Sequence, residues 1–355
     1  MFESTRRRVL QTVGVGGTAA IAGCTQEREI QAKADRTTVE NAATPEVDRV
    51  AADPTDIPGP IERDEPAEVD VTLRPEEVTA EIESGVTFDY MTYNGTVPGP
   101  MIRVRRGDTV NLTFENPAEN NLPHNVDFHA CYGPGGGAEA TMTNPGETAK
   151  LTFSPQYPGA FIYHCAVPNL DMHISAGMFG MIVVEPEGGL PAVDQELYLG
   201  QHEIYTSKAP GEEGKHSFSM AAMKAEEPTY VVMNGESYAM TPDVNGAAAT
   251  VSTGDRARVF FVTGGPNLTS SFHPIGNVWS ELYPEGSLST APQTNIQTKP
   301  VAPGSTAVGH MDFPVPGPVK LVDHSLSRVA RKGLMAVVDV QGEPNPEIFD
   351  PEPGQ

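Results

Sequence analysis

The strongest constraint on this chain is that it repeats itself. The run YNGTVPGPMIRVRRGDTVNLTFEN, then DFHA, NPGETAKLTFSPQYPGAFIYHC and GMIVVEP, is echoed by VMNGESYAMTPDVNGAAATVSTGDRARVFFV, SFHP, APGSTAVGHMDFPVPGPVKLVDHS and GLMAVVDV. Each copy has an Asn-Gly turn, a Gly-Asp turn before an alternating strand, a Phe-His pair and a Pro-Gly-x-Thr turn. Each then ends a strand in histidine. A repeat of this length is a domain in its own right rather than a solenoid unit. Short runs of Val, Ile, Thr, Phe and Tyr, cut by 33 prolines and 35 glycines, have the rhythm of β-sandwiches. The fold class expected is therefore all-β, with two tandem sandwiches over residues 66–188 and 189–343 and a C-terminal tail over 344–355.

Ahead of the repeats, Arg6, Arg7 and Arg8 precede a weakly apolar, Gly-rich run ending in IAGC. That order is that of an export signal over residues 1–24, and the run is too short to span a bilayer. It is similar to a twin-arginine signal with a lipoprotein box, so the expected location is the cell envelope, lipid-anchored through Cys24 to the outer face of the cytoplasmic membrane. A basic leader that stays attached is the alternative. Residues 25–65, rich in Glu, Asp, Ala and Pro, are expected to form a disordered acidic tether. Net charge is −24, from 47 acidic and 23 basic residues. Such a surface repels nucleic acid and anionic lipid and suits concentrated salt, as in a halophile, or an ordinary acidic secreted protein.

Superposing the copies aligns His129 with His273 and His164 with His324, while Cys165 falls on Ser325. Nothing in the second copy replaces His124, His173 or Met178. Two histidines, a thiolate and a weakly binding methionine are the ligand set of a blue-copper electron-transfer centre, so His124, Cys165, His173 and Met178 are the candidate ligands of a first metal. Strand parity then separates the adjacent His164 and Cys165, because successive side chains point to opposite faces. If His124 and Cys165 face inward, His129 and His164 face outward, with Asp127 beside them. Matched outward histidines with a carboxylate suggest a second, open metal site between domains or subunits, where substrate can displace water. His202, His216 and His310 have no matched partner and are expected to be spectators. Cys131 is expected to be an inert core or loop thiol, and a Cys131–Cys165 disulfide is the alternative that the surrounding ligands argue against.

The motifs HNVDFHA, GPGGG, NPGE, YHC, HxxxGM and DHS, spread over about residues 85–340, resemble the copper-containing nitrite reductases, of a haloarchaeal type given the acidic surface. The resemblance implies two cupredoxin-like Greek-key domains, a homotrimer, and reduction of nitrite by one electron and two protons to nitric oxide and water. It implies type 1 copper on His124, Cys165, His173 and Met178, and type 2 copper on His129 and His164 with His324 of a neighbouring subunit. Asp127 and His273 would handle protons, and Ile275 would shape the pocket. A small cupredoxin is the expected electron donor. The chain departs from the family at the loop AVPNLDM, one residue shorter than the common pattern, at Met172, where tryptophan is frequent, and at Cys131, where a small non-thiol residue is usual. These bear on potential and docking rather than on the ligands. Two other readings compete. A non-catalytic cupredoxin carrier would leave Asp127, His129, His273 and His324 without a role. A laccase-like multicopper oxidase needs His-x-His pairs, and this chain has none.

Overall fold

In the strand Thr109–Glu115, side chains alternate between buried and half-exposed, as expected where one face of a sheet meets a core. Phe179–Glu185 is buried at every position, which requires apolar packing on both faces. That contrast defines the architecture. The structure is a computed structural model that describes residues 44–353; Arg6 to Arg8 and Cys24 lie outside the described residues.

In the first half, a three-stranded sheet of Glu68–Leu73, Thr109–Glu115 and Thr148–Phe153 faces a four-stranded sheet ordered Ile102–Arg105, Phe179–Glu185, Gly159–His164 and Asp127–Phe128. Between them lies a core that includes Val104, Leu112, Phe114, Phe128, Tyr163 and Ile182. The second half pairs a six-stranded sheet, centred on Gln195–Ile204, Arg256–Gly265 and Ser305–Asp312, with a five-stranded sheet that includes Gly317–Asp323 and Ser270–Ile275. Leu197, Val259, Phe261, Trp279 and Leu321 fill that second core. A third apolar layer joins the halves. Phe179, Met181 and Val183, with Ile162, pack against Tyr198, Phe260, Val262 and Val308. All-β is thus the observed class, with three short helices among the described residues: Leu170–Ser175, Met220–Lys224 and Leu326–Lys332.

The repeat survives at the level of register. Phe128 pairs with Tyr163 and Phe272 with Asp323, so His164 and His324 each follow the partner of the matched phenylalanine. A short helix follows in both copies. The Gly-Asp turns also match: Gly107 and Gly254 both have φ of 95°, a left-handed conformation that favours glycine. Asp108 accepts from Arg105 N and Asp255 from Ser252 N, each at 2.7 Å.

The tether expected over residues 25–65 needs correction at its C-terminal end. Val50 is 1% exposed, its N–H and that of Ala51 donate to Glu236, and Ala51 bridges Val97. One apolar anchor and a buried carboxylate in the second half order this acidic segment, which composition alone marks as solvated. Of the expected C-terminal tail, Ile348 and Phe349 are exposed.

Candidate metal centres

Three inward-facing donors meet at one end of the first sandwich. The Gly159–His164 strand ends directly before Cys165, whose Sγ lies 4.0 Å from His124 Nδ1 and 3.5 Å from His173 Nδ1. All three residues are buried, as is Met178. The loop between them is cross-braced, with Cys165 N donating to Met178 O and Met178 N to His173 O. Asn125 adds a further brace: its Oδ1 accepts from Ala166 N at 2.7 Å and lies 3.6 Å from Cys165 Sγ.

The imidazole of His124 is oriented by Glu77, a residue that the sequence motifs do not indicate. Its Nε2–H donates to Glu77 Oε1 at 3.1 Å, which leaves the Nδ1 lone pair facing the thiol. This carboxylate-histidine pair fixes both tautomer and ring orientation in metal sites. Glu77 also accepts from Asn121 N, Asn121 Nδ2 and Leu122 N. Burial alone would raise its pKa; the bonds from His124 and Asn121 outweigh that and hold it below the usual glutamate range.

Burial pushes the Cys165 thiol up to about 11, against backbone N–H groups of Val167, Asn125 and Ala166. Burial, with His124 beside it, pushes His173 down to about 3. Two imidazoles and a buried thiol whose ionisation a bound cation would favour are a donor set suited to a soft metal. Copper fits these residues.

The second cluster lies on the other face of the same strand end. His129 Nε2 and His164 Nε2 are 3.1 Å apart, and the ligand atoms of Asp127, His129 and His164 lie within 4.8 Å of one another. His129 is exposed, with Asp127 and His164 half-buried. His164 Nδ1–H donates to Cys165 O at 3.0 Å, so its Nε2 is the free ligand atom. Although His129 is exposed to solvent, partial desolvation of its ring and the neighbouring His164 lower its pKa, against the pull of Asp127. Two imidazoles with open solvent on one side can hold a metal and leave a position for a small ligand. Asp127 is backed by the GPGGG loop: a Cβ added at Gly136, where φ is +55°, would lie 1.9 Å from Asp127 Oδ1.

His324 does not join this cluster within the chain. It stacks edge-on against His273, with ring centroids 5.2 Å apart, matching the 5.1 Å of His129 and His164. His273 Nδ1–H donates to Gln297 O at 2.6 Å, leaving Nε2 free. Ile275 is 38% exposed on the same strand as His273. His202, His216 and His310 belong to neither donor cluster; His216 bonds Thr206 and Glu212, and His310 sits between Glu281 and Arg258. Cys131 and Cys165 are both free thiols. Burial and the nearby Asp127 raise the Cys131 pKa.

A profile of the multicopper oxidase family matches residues 75–189. A copper-containing nitrite reductase of Neisseria meningitidis serogroup B is 44% identical over 305 residues, covering 86% of this chain and 77% of its own. One from Alcaligenes xylosoxydans xylosoxydans is 33% identical over 277 residues, covering 74% and 82%. Among solved structures, the copper nitrite reductase of Nitrosomonas europaea superposes with a TM-score of 0.69 at 34% identity, covering 79% of this chain and 96% of that one.

Proposed function

The chain belongs to the copper-containing nitrite reductases, and on that premise we propose how its residues divide the reduction of nitrite, one electron and two protons to nitric oxide and water. It is a copper oxidoreductase with type 1 and type 2 copper. The single observation that carries the assignment of residues is the split at His164 and Cys165: adjacent in the chain, they serve donor clusters on opposite faces of one strand.

In this reading His124, Cys165, His173 and Met178 hold the type 1 copper, and His129 and His164 hold the type 2 copper with His324 of a neighbouring subunit. When bound, the copper ions supply the one-electron couple and an electropositive position for the nitrite oxygens. The peptide between Cys165 and His164 gives the electron a short covalent route from one face to the other. Asp127 stands beside the two imidazoles and hydrogen-bonds the substrate. Loss of one oxygen as water needs protons in the transition state, which a carboxyl and an imidazole deliver. His273 is held through its Nδ1–H, so Nε2 is the atom at which it would take up and release a transferred proton. Because His273 and His324 stack together, a neighbour that supplies one supplies the other. Ile275 forms an apolar wall that limits the site to a small anion.

His324 acting in trans requires an oligomer, which we propose is the closed trimer that the family resemblance implies. We also place the protein outside the cytoplasmic membrane, on the twin-arginine and Cys24 pattern, with a small cupredoxin as donor and an acidic surface adapted to salt. Nitric oxide formation from nitrite with an artificial donor, on copper-loaded and copper-depleted protein, tests the function. The two-copper form should produce it and the depleted form should not. One copper per chain and no product would favour a carrier, and oxygen consumption a laccase-like enzyme.

A further inference from the structure

His202 carries more than a spectator's role. It lies in the Gln195–Ile204 strand of the second half, fully buried against Phe179. Burial pushes its pKa down to about 4, so the ring is neutral and its Nδ1–H donates to Ser175 O at 3.1 Å. Ser175 is held a second time, its Oγ donating to Glu203 O at 2.9 Å. Ser175 lies between His173 and Met178 in the cross-braced loop of the thiolate centre.

The pairing register of this strand shifts between Gln201 and His202, and the side chains on either side of His202 reach partners in the second half instead. Glu203 accepts from Asn267 N and Leu268 N at 3.1 and 2.6 Å, in the loop that leads into the His273 strand. Gln201 Nε2 donates to Asp323 Oδ2 at 3.2 Å. Asp323 Oδ1 in turn accepts from Ser271 N at 3.0 Å and Ser325 N at 2.9 Å, gripping the chain on both sides of His324. Three consecutive residues thus touch the thiolate loop on one face and both second-half histidine strands on the other.

We propose that Gln201-His202-Glu203 is a positioning strut that holds the Cys165–Met178 loop in a fixed relation to the His273 and His324 pair, which the same subunit presents to the next type 2 site. This rests on the copper assignment above. It is a mechanical tie between the two centres distinct from the covalent link through Cys165 and His164.

The test uses full-length, copper-loaded protein, read by the visible thiolate-to-copper bands, by the electron paramagnetic resonance of each copper and by copper retention against a chelator. His202→Leu removes the Nδ1–H donor. It should change the ratio of the thiolate bands and weaken type 1 copper retention, by up to the roughly tenfold that losing a direct outer partner of a ligand costs. His202→Asn places an amide nitrogen near the position of Nδ1 and should restore the parental bands and copper retention. Gln201→Met should leave the thiolate bands intact and weaken type 2 copper retention. A folded His202→Leu variant with parental bands and retention overturns the strut, as does equal perturbation by Leu and Asn, which would signify packing alone. Should His202→Leu fail to fold, Ser175→Ala carries the test, since it removes only the bond to Glu203. It should shift the bands in the same direction, and parental bands would overturn the proposal. Absence of thiolate bands in the unmodified protein would instead reject the copper assignment.

Discussion

Replacing Glu77 by alanine tests whether a residue far from the metal motifs controls the first centre. The substitution removes the acceptor for His124 Nε2, Asn121 N, Asn121 Nδ2 and Leu122 N. Asn121 and Leu122 are half-exposed, so water can replace the carboxylate there. His124 is fully buried. A buried donor left without a partner costs about 1–3 kcal/mol. Independently, loss of the carboxylate behind a ligating histidine weakens metal binding roughly 10- to 100-fold, which converts to about 1.4–2.8 kcal/mol. The first figure bears on folding and the second on copper affinity. Titration of the copper-free variant with cuprous ion, followed after oxidation by the blue thiolate band, measures the loss directly. Glu77→Gln, which keeps one acceptor oxygen, should fall between. Unchanged affinity with unchanged bands in Glu77→Ala would refute the claim that His124 is oriented from outside the loop.

Asp127→Asn should retain both coppers and lose roughly 100-fold or more in turnover, checked by nitric oxide release and metal analysis; a parental rate across pH would remove Asp127 from proton handling. Gly136→Ala should mimic it, because the added methyl meets Asp127 Oδ1, and a parental rate would show that the loop yields. Asp108 gives a pH prediction. Burial alone would raise its pKa, but bonds from Arg63 and from Arg105 N and Ala67 N hold it below the usual aspartate value. A carboxylate depressed in the folded state stabilises above its unfolded pKa of about 3.9 and stops doing so as pH falls through the folded value. Asp108→Asn should therefore cost about 2 kcal/mol at neutral pH and progressively less below about pH 4, measured by denaturant unfolding at a series of pH values. A gap that stays constant into acid would contradict the sign.

What the sequence reveals and what it hides divide along physical lines. The split between His164 and Cys165 is legible because strand periodicity is local: inside and outside alternate whatever the rest of the chain does. The His324 position is legible because the repeat preserves register. Glu77 is not, since it lies 47 residues before His124 and a glutamate in a strand reads as surface. Ser175 and His202 are hidden for the same reason, their bond crossing between the halves, and Asp323 because its partner Gln201 lies 122 residues away. The packing of Val50 overrides an acidic, proline-bearing composition because the partner, Glu236, comes from 186 residues away. Gly136 sits in a motif that is visible, GPGGG, but its pressure on Asp127 depends on a tertiary approach that no spacing encodes.

The apolar layer between the halves makes Phe179–Glu185 a strand owned by two cores at once. A gene fragment encoding only the first half would therefore leave Phe179, Met181 and Val183 facing water, and would be expected to aggregate rather than yield a miniature electron carrier. The second half thus supplies the apolar cover for one face of a first-half strand. Heating should accordingly melt residues of both halves in one cooperative step.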